Sequence, residues 1–176
     1  MERVVALLRG INVGGHRLSM ADLRRHLEDL GCTDVATYIQ SGNVVLTPPA
    51  VERPLDDWLS EQIGALAGYA VPTITRSARE LDAVVAHNPY PSASGTTLHV
   101  VFFANPPARA LLDGLAAFAP EECTSMGRDL YLQLPNGMGR ALLPAALEKA
   151  VKQQKAAPGT ARNWSTVLQL QQMAHP

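Results

Sequence analysis

Apolar and polar positions along the chain follow two rhythms, and each change of rhythm marks an element. Val4-Val5-Ala6-Leu7-Leu8 is an unbroken apolar run, the pattern of a strand buried on both faces. Met20, Leu23, Leu27 and Leu30 then recur at helical spacing, with Arg24, Arg25 and Glu28 on the outer side. Ser19 caps this helix, Asp22 takes the capping-box position and Gly31 follows the end. Residues 35–40 and 44–46 read as strands joined by the turn Ser41-Gly42-Asn43. Leu55, Trp58, Leu59, Ile63 and Leu66 mark a second amphipathic helix, with Pro54 in its first turn and Gly68 past its end. Residues 71–76 form a fourth strand. Pro72 lacks an N–H and puts this strand at an edge or at a strand start. The order from Val4 to Arg76 is therefore βαββαβ, the ferredoxin-like arrangement.

The same order then restarts. Ser77-Ala78-Arg79-Glu80 is a second capping box, opening a short helix through Leu81, Val84 and Val85 that Asn88-Pro89-Tyr90-Pro91 stops. Residues 97–104 form an apolar strand. Asn105 and Pro106 read as the start of a helix with Leu111, Leu112, Leu115 and Phe118 on its inner face. Strands follow near 122–125 and 130–134, then a helix over 142–151. No fourth strand is evident; Pro158-Gly159 breaks the chain instead. Thr160 reads as the N-cap of a final helix striped by Val167, Leu170 and Ala174, with Arg162 and Asn163 in its first turn. The fold class is α+β, with two ferredoxin-like (βαββα-type) subdomains and a C-terminal helix. The domain boundaries fall at 1–76 for the first subdomain, 77–95 for a helical connector and 96–176 for the second subdomain with the last helix. This is an internal structural repeat.

Composition narrows the function classes. The 176 residues are 47% hydrophobic, enough for a sizeable core, and 15 basic against 16 acidic residues leave a net charge of −1. That balance argues against a general nucleic-acid binder. Single-stranded nucleic-acid binding ranks last, because the strands that would present stacking aromatics offer only Tyr38. No apolar run is long enough to span a membrane, and Glu2-Arg3 leads into a strand without a signal-peptide pattern. The expectation is a cytoplasmic protein. Cys32 and Cys123 lie far apart with no ligand-like spacing to His87 or His99, so neither a metal nor another cofactor is expected.

The candidate chemistry centres on the long loop after the first strand. Gly10 to Leu18 exceeds the usual ~2–6 residues of such a connection. Gly14 and Gly15 can turn backbone N–H groups towards an anion, Arg9 supplies a forked cation, and Asn12 and His16 add polar contacts. The spacing is neither a P-loop nor a dinucleotide fingerprint. Arg162 and Asn163, read at a helix start where the macrodipole disfavours a cation, point either to a second half of the same anion site or to an interdomain salt bridge with a carboxylate. The expected site is a cleft lined by Arg9, Asn12, Gly14, Gly15, His16, Arg162 and Asn163, holding a small anionic or phosphorylated ligand. The Ser41-Gly42-Asn43 hairpin is placed at the far end of the sheet and left out. A protein-interaction or regulatory module, including a homodimer, is the alternative. No residue pair identifies a catalytic base or nucleophile, so catalysis stays open.

Three stretches carry a further pattern: residues 7–15 (Leu-Leu-Arg-Gly-Ile-Asn-Val-Gly-Gly), residues 37–43 (Thr-Tyr-Ile-Gln-Ser-Gly-Asn) and Arg162-Asn163-Trp164. Together they resemble DUF1697, a bacterial family of unknown function. The resemblance implies an α+β fold of two similar subdomains and no assigned activity, cofactor or catalytic residue. The chain departs from the family pattern at Ala141 and Ala161, where hydroxyl residues are common.

Overall fold

The computed structural model describes residues 2–175. The chain divides into two compact units, Met1–Asp82 with Leu170–Pro176, and Ala83–Gln169. Each contains one four-stranded antiparallel sheet.

In the first unit, β1 (Val4–Leu8) is flanked by β3 (Asn43–Thr47) and β4 (Thr73–Ser77), and β2 (Thr33–Tyr38) pairs with β3 at the edge. Val4, Ala6 and Leu8 face α1 (Met20–Asp29) and α2 (Leu55–Ala67), where Leu23, Leu27, Leu59 and Ile63 complete a core with Val44 and Leu46. Val5 and Leu7 point to the other sheet face and are equally inaccessible, which explains the unbroken apolar run. Across from Val5 on that face stands Arg76, 1% exposed, whose guanidinium donates to the Thr75 carbonyl at 2.9 Å. At the end of β4, Ser77 and Glu80 form the expected capping box: the Ser77 N–H reaches the Glu80 carboxylate at 2.9 Å, and the Glu80 N–H reaches Ser77 Oγ at 3.2 Å. They open α3 (Ala78–Ala86).

The second unit repeats the order with β5 (Leu98–Phe102), α4 (Arg109–Asp113), β6 (Glu122–Met126), β7 (Asp129–Gln133), α5 (Leu143–Gln153) and β8 (Thr160–Asn163); α6 (Trp164–Ala174) begins in it and ends among the residues of the first unit. Its sheet runs β6-β7-β5-β8, the counterpart of β2-β3-β1-β4. Val101, Phe103, Leu130 and Leu132 pack against Leu111, Leu115, Leu143 and Leu147 from the helical side. Tyr131 is buried, and its hydroxyl donates to the Val84 carbonyl at 2.7 Å. The architecture is the expected α+β fold of two ferredoxin-like repeats with a C-terminal helix.

Two readings of the sequence need correction here. The fourth strand of the second repeat exists: it is β8, pairing with β5 through Phe102–Thr160 to His99–Asn163. Thr160 is therefore a strand residue and no N-cap. Asn163 performs that role, its side-chain oxygen accepting from the Thr166 N–H at 2.8 Å. Helix α4 starts at Arg109 with no side-chain cap, so Asn105 does not begin it. Pro107 disfavours the helical region for Pro106, which keeps the approach extended.

Candidate anion-binding loops

Three segments meet at the C-terminal end of β1. The Leu8 N–H donates to the Gly42 carbonyl at 2.8 Å, and the Arg9 N–H donates to the Pro72 carbonyl at 2.9 Å. The β1–α1 loop, the β2–β3 hairpin and the α2–β4 loop are thereby tied together. The hairpin lies at this end and not at the far one, because β3 runs antiparallel to β1 and so begins where β1 finishes, with Leu7 opposite Asn43. Gly42, at φ +82°, presses so closely on Leu8 and Ile11 that an added Cβ would lie 2.8 Å from Leu8 Cβ.

Asn12 braces the loop from inside. It adopts φ +53°, and its amide nitrogen donates to the carbonyls of Gln40 at 2.8 Å and Leu18 at 3.3 Å. Its oxygen accepts from the Leu18 N–H at 2.9 Å. One side chain thus fixes the loop's exit and links it to the hairpin. Gly14 (φ +59°) and Gly15 (φ +90°) are the central residues of a tight turn closed by the His16 N–H on the Val13 carbonyl at 3.0 Å. Positive φ at both positions is the type I′ signature. A Cβ at either would meet nothing within 4 Å, so backbone conformation and not crowding demands glycine.

His16 stacks on Tyr69 from the α2–β4 loop, with ring centroids 4.1 Å apart and planes at 38°. The Tyr69 hydroxyl is buried without a hydrogen-bond partner among the described residues. Nothing in its spacing marked Tyr69 beforehand; it enters through the turn after Gly68. Val13 and Ile39 stand 58% and 51% exposed on adjoining loops, and Ile39 holds φ +49°, which a β-branched residue rarely adopts. Residues 9–19, 39–42 and 68–72 together contain Arg9, His16 and Arg17 and no aspartate or glutamate.

Arg162 and Asn163 belong to the second unit. Arg162 sits inside β8 opposite Val100, 7% exposed, and donates to Thr160 Oγ1 and the Ala161 carbonyl, both at 2.8 Å. Burial pushes its pKa down to about 10. With Arg162 in a strand, the helix-dipole argument that tied it to the loop no longer holds. Its counterpart in the first repeat is Arg76: each is a buried arginine next to the residue that caps the following helix, Ser77 or Asn163.

This arrangement defines a class: two-repeat ferredoxin-like α+β proteins whose first strand feeds a braced, glycine-rich loop. The family model described as "Protein of unknown function (DUF1697)" matches residues 1–131, and the chain belongs to that family. A solved structure, that of the conserved bacterial protein SP0830 from Streptococcus pneumoniae, is similar in fold. It shares 21% identity and a TM-score of 0.72, covering 100% of this chain and 99% of the other. No curated protein matches. Among the described residues, no helix is long and apolar enough to cross a membrane, and no three His, Cys, Asp or Glu side chains group as metal ligands.

Proposed function

We propose that the loop end of the first unit binds a small anionic or phosphorylated ligand. The observation that carries this reading is local charge: three converging segments bear Arg9, His16 and Arg17 and no carboxylate, in a chain with more acidic than basic residues. Arg9 and Arg17 would supply charge-assisted hydrogen bonds and His16 a further donor. The Tyr69 ring stacked on His16 fixes where that imidazole sits in the loop cluster. Asn12 holds the loop in advance, which lowers the ordering cost of binding. Gly14 and Gly15 keep side chains out of the approach. Arg162 and Asn163 are left out, since strand and cap contacts occupy them. The reading is one of binding and assigns no catalytic residue.

Calorimetric titration with inorganic phosphate, pyrophosphate and ATP at low and moderate salt tests it. Arg17→Ala and His16→Ala should weaken binding while leaving the melting temperature nearly unchanged. Absence of heat with every anion up to the order of 10 mM, a Kd weaker than about −3 kcal/mol of binding, sinks the proposal. A second reading rests on Val13 and Ile39, whose exposure on adjoining loops suits a protein interface or homodimer. Concentration-dependent sedimentation abolished by Val13→Asp would favour it; a strict monomer would count against the homodimer.

A further inference from the structure

Two sheets have four edges, and three of them carry features that discourage strand addition. β2 is irregular, with a register shift between Thr33 and Ala36 and Asp34 at φ +53°. In β4, the N–H groups of Thr73 and Thr75 donate to Ser60 Oγ and Asp56 Oδ1, both at 2.9 Å. β8 is four residues long and has a guanidinium N–H on the Ala161 carbonyl. β6 has none of these features, and its pairing with β7 is regular from Glu122 to Met126.

The direction of its backbone groups follows from the neighbouring ladder. The Phe103 N–H donates to the Arg128 carbonyl at 2.9 Å, and the Leu134 N–H donates to the Thr97 carbonyl at 2.7 Å. Antiparallel pairs alternate, so Leu130 and Leu132 turn their backbone groups to β5, and Asp129, Tyr131 and Gln133 turn theirs to β6. Opposite the first two, Ser125 and Cys123 must direct N–H and C=O away from β7. Among the described residues, these four groups have no partner.

A cleft of about 380 Å³ runs along this edge. On the helical side its wall is Leu112, Leu115 and Leu130; on the other, the Tyr90 hydroxyl meets Thr124 Oγ1 at 2.9 Å beside Glu122. The lining includes two carboxylates and no basic residue. Glu121 is committed to the N–H groups of Leu142 and Leu143, at 2.9 and 2.7 Å, which leaves Glu122 as the charge on the rim.

We propose that β6 is a docking edge for an extended segment of a partner protein in which apolar and basic side chains alternate. Such a segment would hydrogen-bond to Cys123 and Ser125. It would place an aliphatic side chain against Leu112 and Leu115, and its next residue, facing the opposite way, would bring a lysine or arginine to Glu122.

The full chain titrated with a fluorescent Lys-Val-Lys-Val-Lys-Val peptide tests this. Saturable binding is expected, with slowed hydrogen exchange at the Cys123 and Ser125 amides and little binding of the Glu-Val counterpart. Ser125→Pro removes an outward N–H while leaving the β6–β7 ladder intact, and should weaken binding roughly tenfold. Glu122→Lys should reverse the charge preference. If Ser125→Pro fails to fold, a peptide N-methylated at alternate amides asks the same question of the unaltered chain, and should not bind. Equal binding of the N-methylated peptide overturns the proposal, as does no binding at the order of 1 mM. A dimer that Ser125→Pro dissolves would make a second copy the occupant, and overturn it too.

Discussion

Gly42 and Gly14 share a left-handed backbone but not their surroundings, and that difference yields a quantitative test. At Gly42, an alanine would adopt φ +82° and place its Cβ 2.8 Å from Leu8 Cβ and 2.9 Å from Ile11 Cδ1. The left-handed conformation costs an L-residue about 1–2 kcal/mol. Forcing a methyl against two buried side chains adds about 1–3 kcal/mol. Gly42→Ala should therefore cost about 2–5 kcal/mol, lowering the melting temperature by roughly 5–15 °C for a chain of this size. At Gly14, φ is +59° and an added Cβ meets nothing within 4 Å, so Gly14→Ala should cost only the backbone share of about 1–2 kcal/mol. Urea unfolding of both variants measures the two costs directly. Equal destabilisation would refute the claim that Gly42 is held by close approach to Leu8 and Ile11. Gly42→Ala should also weaken anion binding by displacing the loop, whereas a binding loss confined to Gly14→Ala would point to the turn itself.

Three further outcomes follow from His99, Trp164 and Asp56. His99 lies 7% exposed with Nδ1 lacking a partner among the described residues, and burial lowers its pKa from 6.5. The folded chain then binds fewer protons than the unfolded one in acid; stability holds above the unfolded value and falls below it by up to about 1.4 kcal/mol per pH unit until the folded pKa is reached. His99→Phe should flatten that slope in urea titrations at descending pH, and an unchanged slope would exonerate His99. Trp164, 8% exposed at the start of α6, should cost about 3–5 kcal/mol on truncation to alanine; an unaltered melting temperature would show that it does not anchor the helix. Asp56 accepts from both the N–H and the hydroxyl of Thr75, so Asp56→Ala should cost about 1.5–3 kcal/mol in the same assay and free a donor on the β4 edge; a neutral result would assign those bonds no net value.

What the sequence disclosed depended on whether an element's reason for existing was local. The apolar run of β1, the periodic faces of α1 and α2 and the Ser77–Glu80 box were legible because each rests on its own residues. β8 was not: Thr-Ala-Arg-Asn shows no alternation, and it forms because β5 offers an edge and Gly159 fits where a Cβ would strike Val101 at 2.6 Å. Without β8, Arg162 reads as a helix-start residue; in the strand, the macrodipole argument does not apply to it. The long glycine loop was legible as a feature, but its brace through Asn12 to Gln40 joins residues 28 positions apart, and local pattern says nothing of such pairings. The element order βαββαβ of the first repeat is legible, but the hairpin's end of the sheet follows from the β1–β3 pairing, which joins residues far apart in sequence.

The first unit is discontinuous, and that has a consequence for the order of events at the ribosome. Asp82 is held by Gln171 at 2.8 Å and His175 at 2.9 Å, and Arg3 donates to the His175 carbonyl at 3.1 Å. Those closing contacts belong to a segment translated after all of Ala83–Gln169. At the usual pace of elongation, on the order of 5–20 residues per second, the nascent first sheet waits roughly 4–17 s for its last pieces. Through that interval Asp82 is without Gln171 and His175, and Arg3 keeps only its ion pair with Asp34, so the oldest part of the chain is the last to be completed.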